Sequence, residues 1–184
     1  MKSAALIIAF LFSFAPVKAQ NSLIPESGID FSGTFMKPHN VDNCNFYGLK
    51  GAYEKNLSTT QTWGVFAEWK IATQTFDNGS EFAGQKVDYS LVSIGGEYLY
   101  YFSSERNVFF GGEFFYASIS SSEDYNGKHY SSSTDGFGVA PKIGFGGYTS
   151  SSGYLYISLK YNAITFDSDF EGPGVEIGFI FSLN

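Results

Sequence analysis

The last eleven residues of the chain, Gly174 to Asn184, alternate in a way that fits one local structure. Val175, Ile177, Phe179, Phe181 and Leu183 share one parity; Glu176, Gly178 and Ser182 share the other, with Ile180 the exception. Successive side chains on a strand point to opposite faces. The segment is therefore a strand with one apolar face and one small or polar face.

The same two-residue period recurs upstream, and it predicts eight strands. The first runs over Ser27–Lys37, with Ile29, Phe31 and Phe35 opposite Asp30, Ser32 and Thr34. The next are Asn45–Lys55, Thr62–Phe76, Val87–Phe102, Val108–Ser120, Asp135–Tyr148 and Tyr154–Phe166, and the terminal segment is the eighth. Between them lie connections of 7, 6, 10, 5, 14, 5 and 7 residues. Short ones fall in even places and longer ones in odd places, so one end of the sheet carries turns and the other carries loops. Asn78-Gly79 and Asn126-Gly127 supply turn dipeptides within two of the loops.

The N-terminus sets the compartment. Lys2 precedes an apolar run from Ala4 to Val17, and Val17-Lys18-Ala19 offers the small residues a signal peptidase reads. The run is shorter than the roughly 20 residues of a membrane-spanning helix. The expectation is a signal peptide at residues 1–19, cleaved after Ala19, and a single domain at residues 20–184. Loss of Lys2 and Lys18 leaves 9 basic against 18 acidic side chains. That balance argues against nucleic-acid binding, which needs a basic face. One cysteine, Cys44, excludes an intrachain disulfide framework and argues against a cysteine metal site. Aromatics make up 19% of the chain and glycines number 21, yet no later segment is apolar for 18 residues. A membrane barrel reads this way, because each strand is apolar only at every second position.

The faces can be assigned from residue size. Eight strands enclose an interior just wide enough for side chains to fill. Bulky aromatics on every strand would overfill it, whereas Gly, Ala and Ser with a few long charged residues would fit. The aromatics therefore face lipid. Treating each connection as a symmetric hairpin puts Lys50 across from Glu68, Glu97 across from Glu113, Glu113 across from Lys142, and Lys142 across from Lys160. Glu176 falls within two pairs of Lys160, and Glu68 and Lys70 come near Glu97. Eight residues, Lys50, Glu68, Lys70, Glu97, Glu113, Lys142, Lys160 and Glu176, would form one balanced belt in the lumen. Buried charges require partners, and a closed ring supplies them while blocking a wide pore.

Two motifs carry a resemblance. The terminal strand has Glu176, Gly178, Phe181 and Leu183 at the spacing of the C-terminal signal by which bacterial outer-membrane barrels are recognised for assembly, although Asn184 stands where an aromatic is usual. Gly136-Phe137-Gly138-Val139-Ala140-Pro141-Lys142-Ile143-Gly144-Phe145 is a Gly-rich strand of similar style. With the signal peptide and eight alternating segments, the mature chain resembles the small outer-membrane β-barrels of OmpA and OmpX type, the porin-family barrel domain. The resemblance implies an all-β, eight-stranded, antiparallel up-and-down transmembrane barrel with a filled polar lumen, in the outer membrane of a Gram-negative bacterium. It implies contact with outer-membrane lipid and lipopolysaccharide, insertion by the barrel-assembly machinery, a monomer without cofactor or metal, and external loops open to an extracellular ligand.

Candidate chemistry is sparse. His129 has Ser131, Ser132 and Asp135 near it in sequence, residue types that a lipid A-modifying barrel enzyme would use, but a Ser-rich loop collects them without design. His39 is alone in another loop. Asp167, Asp169 and Glu171 offer carboxylate oxygens for calcium without a defined loop motif. Glu97 opposite Glu113 could act as a carboxylate dyad; nearby Lys142 makes an ion cluster the better reading. The function expected is non-enzymatic, structural or recognitional. A lipid A-modifying enzyme, a narrow passive channel and a secreted soluble sheet remain alternatives.

Overall fold

The computed structural model describes residues 26–39, 41, 43–76, 85–125, 128–150, 152–165 and 170–183. Eight strands follow in chain order: β1 (Ser27–Met36), β2 (Phe46–Ser58), β3 (Gln61–Thr75), β4 (Lys86–Tyr101), β5 (Val108–Tyr125), β6 (Lys128–Ser150), β7 (Gly153–Ile164) and β8 (Gly172–Leu183). Each pairs antiparallel with its neighbours in sequence. β1 also pairs with β8, from Ser27↔Leu183 to Met36↔Gly174, so the sheet closes on itself. Closure leaves no unpaired edge, the condition for strands to cross lipid.

Alternation places the rings outside. Phe31 is 60% exposed, Leu49 69% and Phe145 61%, while their sequence neighbours Asp30, Lys50 and Gly144 point inward. Water would not tolerate so continuous an apolar wall, which exceeds the patches of soluble proteins; acyl chains would. Aromatic pairs mark both rims of this belt. Phe35 packs on Tyr47, and Phe137 on Phe114 and Tyr116, toward the loop end. Tyr100, Phe102 and Phe110 pack together toward the turn end.

The interior is more layered than its polar residues suggest. Met36, Phe46, Phe66, Leu91, Phe115, Ile119 and Phe170 form an apolar plug toward the loop end. Leu99, Tyr101, Phe109, Tyr154 and Tyr156 form an aromatic layer toward the turn end. Charged residues lie between. Glycine directly across on the neighbouring strand makes room for these rings: a Cβ on Gly178 would stand 2.5 Å from the Tyr156 ring, and one on Gly144 would run into Phe109. Ile180, the one residue out of parity in the last strand, turns inward and packs on this aromatic layer.

One expected loop is a strand. Residues 121–134 form the longest connection expected from the sequence, but the β5–β6 ladder continues through Ser121↔Ser132 and Asp124↔His129 to Tyr125↔Lys128. Serine is a weak strand former, and pairing with a partner across the ribbon overrides that preference. The continued pairing centres the hairpin one residue earlier than its loop ends suggest. Glu113 therefore faces Ala140, and Lys142 faces Gly111, two residues off the expected Glu113–Lys142 opposition. Strands β5 and β6, at 18 and 23 residues, far exceed the roughly 9–11 needed to cross a bilayer. The two Asn-Gly dipeptides lie outside the described residues, as do residues 1–25.

A charge on the lipid wall and one on the protruding ribbon should differ in cost. Val139→Arg, in the apolar belt of β6, should destabilise the folded barrel by about 2–4 kcal/mol. Ser133→Arg, on the exposed ribbon, should change it by under about 0.5 kcal/mol. Urea titration of lipid-refolded protein, read by heat-modifiable gel migration, checks this; equal costs would contradict the membrane orientation.

Candidate functional site

The lumen brings together side chains from seven strands. Lys50 and Glu54 come from β2, Glu68 and Lys70 from β3, Glu97 from β4, Glu113 from β5, Lys142 from β6, Lys160 from β7 and Glu176 from β8. Each occupies an inward parity position and is at least nine-tenths buried. Register sets their heights: Lys50 is opposite Glu68, Glu97 opposite Glu113 and Lys142 opposite Lys160.

The ammonium groups are shared between carboxylates. Lys50 Nζ donates to Glu113 Oε1 at 2.8 Å, Glu97 Oε2 at 3.0 Å and Glu176 Oε1 at 3.3 Å. Lys142 Nζ reaches the same three residues, at 2.9 Å for Glu97, 3.2 Å for Glu176 and 3.4 Å for Glu113. Lys160 Nζ bridges Glu113 at 3.1 Å, Glu176 at 3.1 Å and Glu68 at 3.4 Å. Lys70 pairs with Glu68. All eight residues of the expected belt thus join one ion-pair network. Glu68 and Lys70 enter it through Lys160; β3 is staggered against β4 so that Gly64, not Glu68, faces Glu97. Glu97 and Glu113 oppose each other with Lys50 and Lys142 between them, which is an ion cluster and not an isolated dyad.

Further buried groups frame the network. Asp30 on β1 is fully buried and accepts from Tyr156 Oη at 2.7 Å; the same hydroxyl contacts Glu176. Glu54 lies four residues from Lys50 on the same face. Their inward parity was visible in the sequence, but the hairpin sums linked them to no lysine. Arg106 was hidden because turn residues carry no parity. It adopts a positive φ of 58° and donates Nε to Thr59 O, Nη2 to Ser58 O and Nη1 to Asn56 Oδ1. Its guanidinium lies 4.5 Å above the Tyr101 ring, and its carbonyl accepts from Tyr154 Oη at 2.6 Å. One side chain therefore ties two turns to the aromatic layer.

The candidates around His129 do not assemble. His129 Nδ1 lies 2.9 Å from Asp124 Oδ1, its cross-strand partner, and both are exposed. Asp135 is six residues along the same strand, about 20 Å away, and accepts from Tyr116 instead. Extension of the ribbon separates what the sequence set side by side. His39 packs against Tyr161, ring centroids 5.7 Å apart and tilted by 43°. Asp167 and Asp169 lie outside the described residues; Glu171 holds His39 through its backbone carbonyl. In the terminal strand, Glu176 and Gly178 face the lumen while Phe181 and Leu183 face outward.

A closed ring of eight antiparallel strands, apolar outside and charged within, defines a transmembrane β-barrel of the outer-membrane type. The solved structures it is similar to say the same. The outer membrane protein OprG of Pseudomonas aeruginosa aligns over 87% of this chain and 97% of its own, at 12% identity and a TM-score of 0.61. Ail, the attachment invasion locus protein of Yersinia pestis, in complex with the heparin analogue sucrose octasulfate, aligns over 88% and 100%, at 15% identity and 0.56. Neisserial surface protein A aligns over 85% and 96%, at 12% identity and 0.55. These likenesses show a shared fold, that of the small OmpA/OmpX-type barrels. No family model and no curated protein matches the sequence.

Breaking the network should cost according to how many carboxylates a lysine serves. Lys50→Met takes one partner from each of three buried carboxylates and should destabilise the barrel by about 3–5 kcal/mol; Lys70→Met, which serves one, should cost less. Urea unfolding in detergent checks the ranking, and equal costs would refute it. Cys44, in the connection between β1 and β2, is 2% exposed, and burial pushes its thiol up to about 11. At about pH 8 it stays protonated and a poor nucleophile. Maleimide should label the folded chain far more slowly than the unfolded one; equal rates would contradict its burial.

Proposed function

We propose that the chain is a non-enzymatic resident of the outer membrane, a scaffold that holds the β5–β6 ribbon outside the cell as a recognition surface. The observation that carries this is the contrast between the two ends of that ribbon. Inside the wall, burial alternates residue by residue up to Ile119. Beyond it, Lys128 to Asp135 are exposed on both faces. A segment wet on both sides has left the barrel wall, yet it keeps its ladder and so presents a fixed surface. At its base is a cavity of about 930 Å³ lined by Tyr47, Trp69, Asp88, Ser90, Ser120 and Ser131. Hydroxyls beside an aromatic ring suit a polyhydroxyl partner, either lipopolysaccharide sugar or an extracellular glycan. The acidic groups Asp88, Glu123 and Asp124 disfavour a polyanion such as the heparin analogue bound by Ail.

On this reading residues 1–19 direct export and are removed, the terminal strand addresses the chain to the barrel-assembly machinery, and the barrel works as a monomer. The plugged lumen disfavours a channel, and the exposed His129–Asp124 pair, far from Asp135, disfavours a lipid A-modifying enzyme.

Protease added to intact cells should cut within residues 121–134 and leave a heat-modifiable barrel; protection there would refute surface display. In planar bilayers the protein should be silent, and Glu113→Gln with Lys142→Gln, which removes an ion pair from the lumenal network, should raise conductance. Altered lipid A by mass spectrometry on expression would instead establish the enzyme.

A further inference from the structure

Six carboxylates are buried in the barrel, from Asp30, Glu54, Glu68, Glu97, Glu113 and Glu176, and four lysines answer them. Every lysine ion pair goes to Glu68, Glu97, Glu113 or Glu176; Asp30 and Glu54 have none among the described residues. Arg106, the remaining buried cation, is occupied by Asn56 Oδ1 and two carbonyls. On the turn side of Lys50, one oxygen from each of Asp30, Glu54 and Glu97 comes within 4.8 Å of the others.

Two oxygens of these three carboxylates are orphans. Asp30 Oδ1 and Glu97 Oε1 are buried and have no hydrogen-bond donor among the described residues. Each belongs to a carboxylate held through its other oxygen: Tyr156 holds Asp30 Oδ2, and Lys50 and Lys142 hold Glu97 Oε2. A buried carboxylate oxygen without a partner is strongly disfavoured. A partner from outside the chain would relieve both, and the donor set defines its chemistry. Oxygen-only carboxylate donors suit a hard cation. Calcium, with oxygen ligands at about 2.3–2.6 Å in a flexible geometry, bridges oxygens anywhere up to about 5.2 Å apart, which covers the whole 4.8 Å range of this group; magnesium holds its ligands to about 4.2 Å. Asp30 and Glu54, which no lysine pairs with, leave negative charge for such a cation to meet.

We propose that Asp30, Glu54 and Glu97 form a lumenal site for one divalent cation of calcium's size, sealed by the aromatic layer of Tyr101, Phe109, Tyr154 and Tyr156. Sealing means the ion enters during folding. The mature chain is therefore refolded from urea into detergent with calcium or with a chelator, and then dialysed. Native mass spectrometry should find one calcium per wild-type chain in the calcium arm. The unfolding temperature in that arm should be about 5 °C or more above the chelator arm. Glu54→Gln and Asp30→Asn should each lose both effects; Asp124→Asn, on the ribbon, should keep them. A wild-type chain that folds without bound calcium and unfolds at one temperature in both arms would overturn the site. So would calcium retained equally in Glu54→Gln and Asp30→Asn. If neither variant refolds, the wild-type mass and the two wild-type temperatures decide the matter alone.

Discussion

The seam between β1 and β8 is the contact on which the rest depends. Hydrocarbon supplies no hydrogen bonds, so a strand with a free edge in a bilayer would strand a row of amides and carbonyls, each at a cost of several kcal/mol. The ten-residue register from Ser27↔Leu183 to Met36↔Gly174 removes both edges at once. Closure then dictates the two environments. Every second residue must meet lipid, and the others must fit a space that eight strands can barely enclose.

That confined space explains why the charges are arranged as they are. A lysine taken out of water is unfavourable unless its ammonium meets several oxygens. Lys50, Lys142 and Lys160 each bridge three glutamates drawn from different strands. The network thereby links walls that share no backbone hydrogen bonds, as Lys50 on β2 does with Glu113 on β5. Apolar and aromatic layers on either side exclude solvent and strengthen those links. Arg106 completes the turn end, where its fork replaces the backbone partners that the turns lack.

Outside the belt the same ladder serves another end. β5 and β6 keep pairing beyond the apolar belt, where Lys128 to Asp135 of β6 are exposed on both faces and Ser121 and Ser122 of β5 are half-buried. On the proposed reading, a paired ribbon loses less conformational freedom on meeting a partner than a flexible loop would.

Alternation determined the strand count and put all ten buried acids and lysines on the face opposite the rings, because a period of two is a local property of backbone geometry; residue size, set against the narrow interior of eight strands, turned the rings outward. Hairpin symmetry also gave three of the cross-strand charge pairs, Lys50–Glu68, Glu97–Glu113 and Lys142–Lys160. Pairing across the sheet decided the rest. It extended β5 and β6 through a stretch whose serines read as loop, and that shifted Lys142 two residues from Glu113. It placed Glu54 and Asp30 beside Glu97, three residues from three strands that no local spacing connects. It also lodged Arg106 among carbonyls of a different turn. Such contacts depend on how the ring closes and how its strands stagger, and a linear pattern holds no record of either.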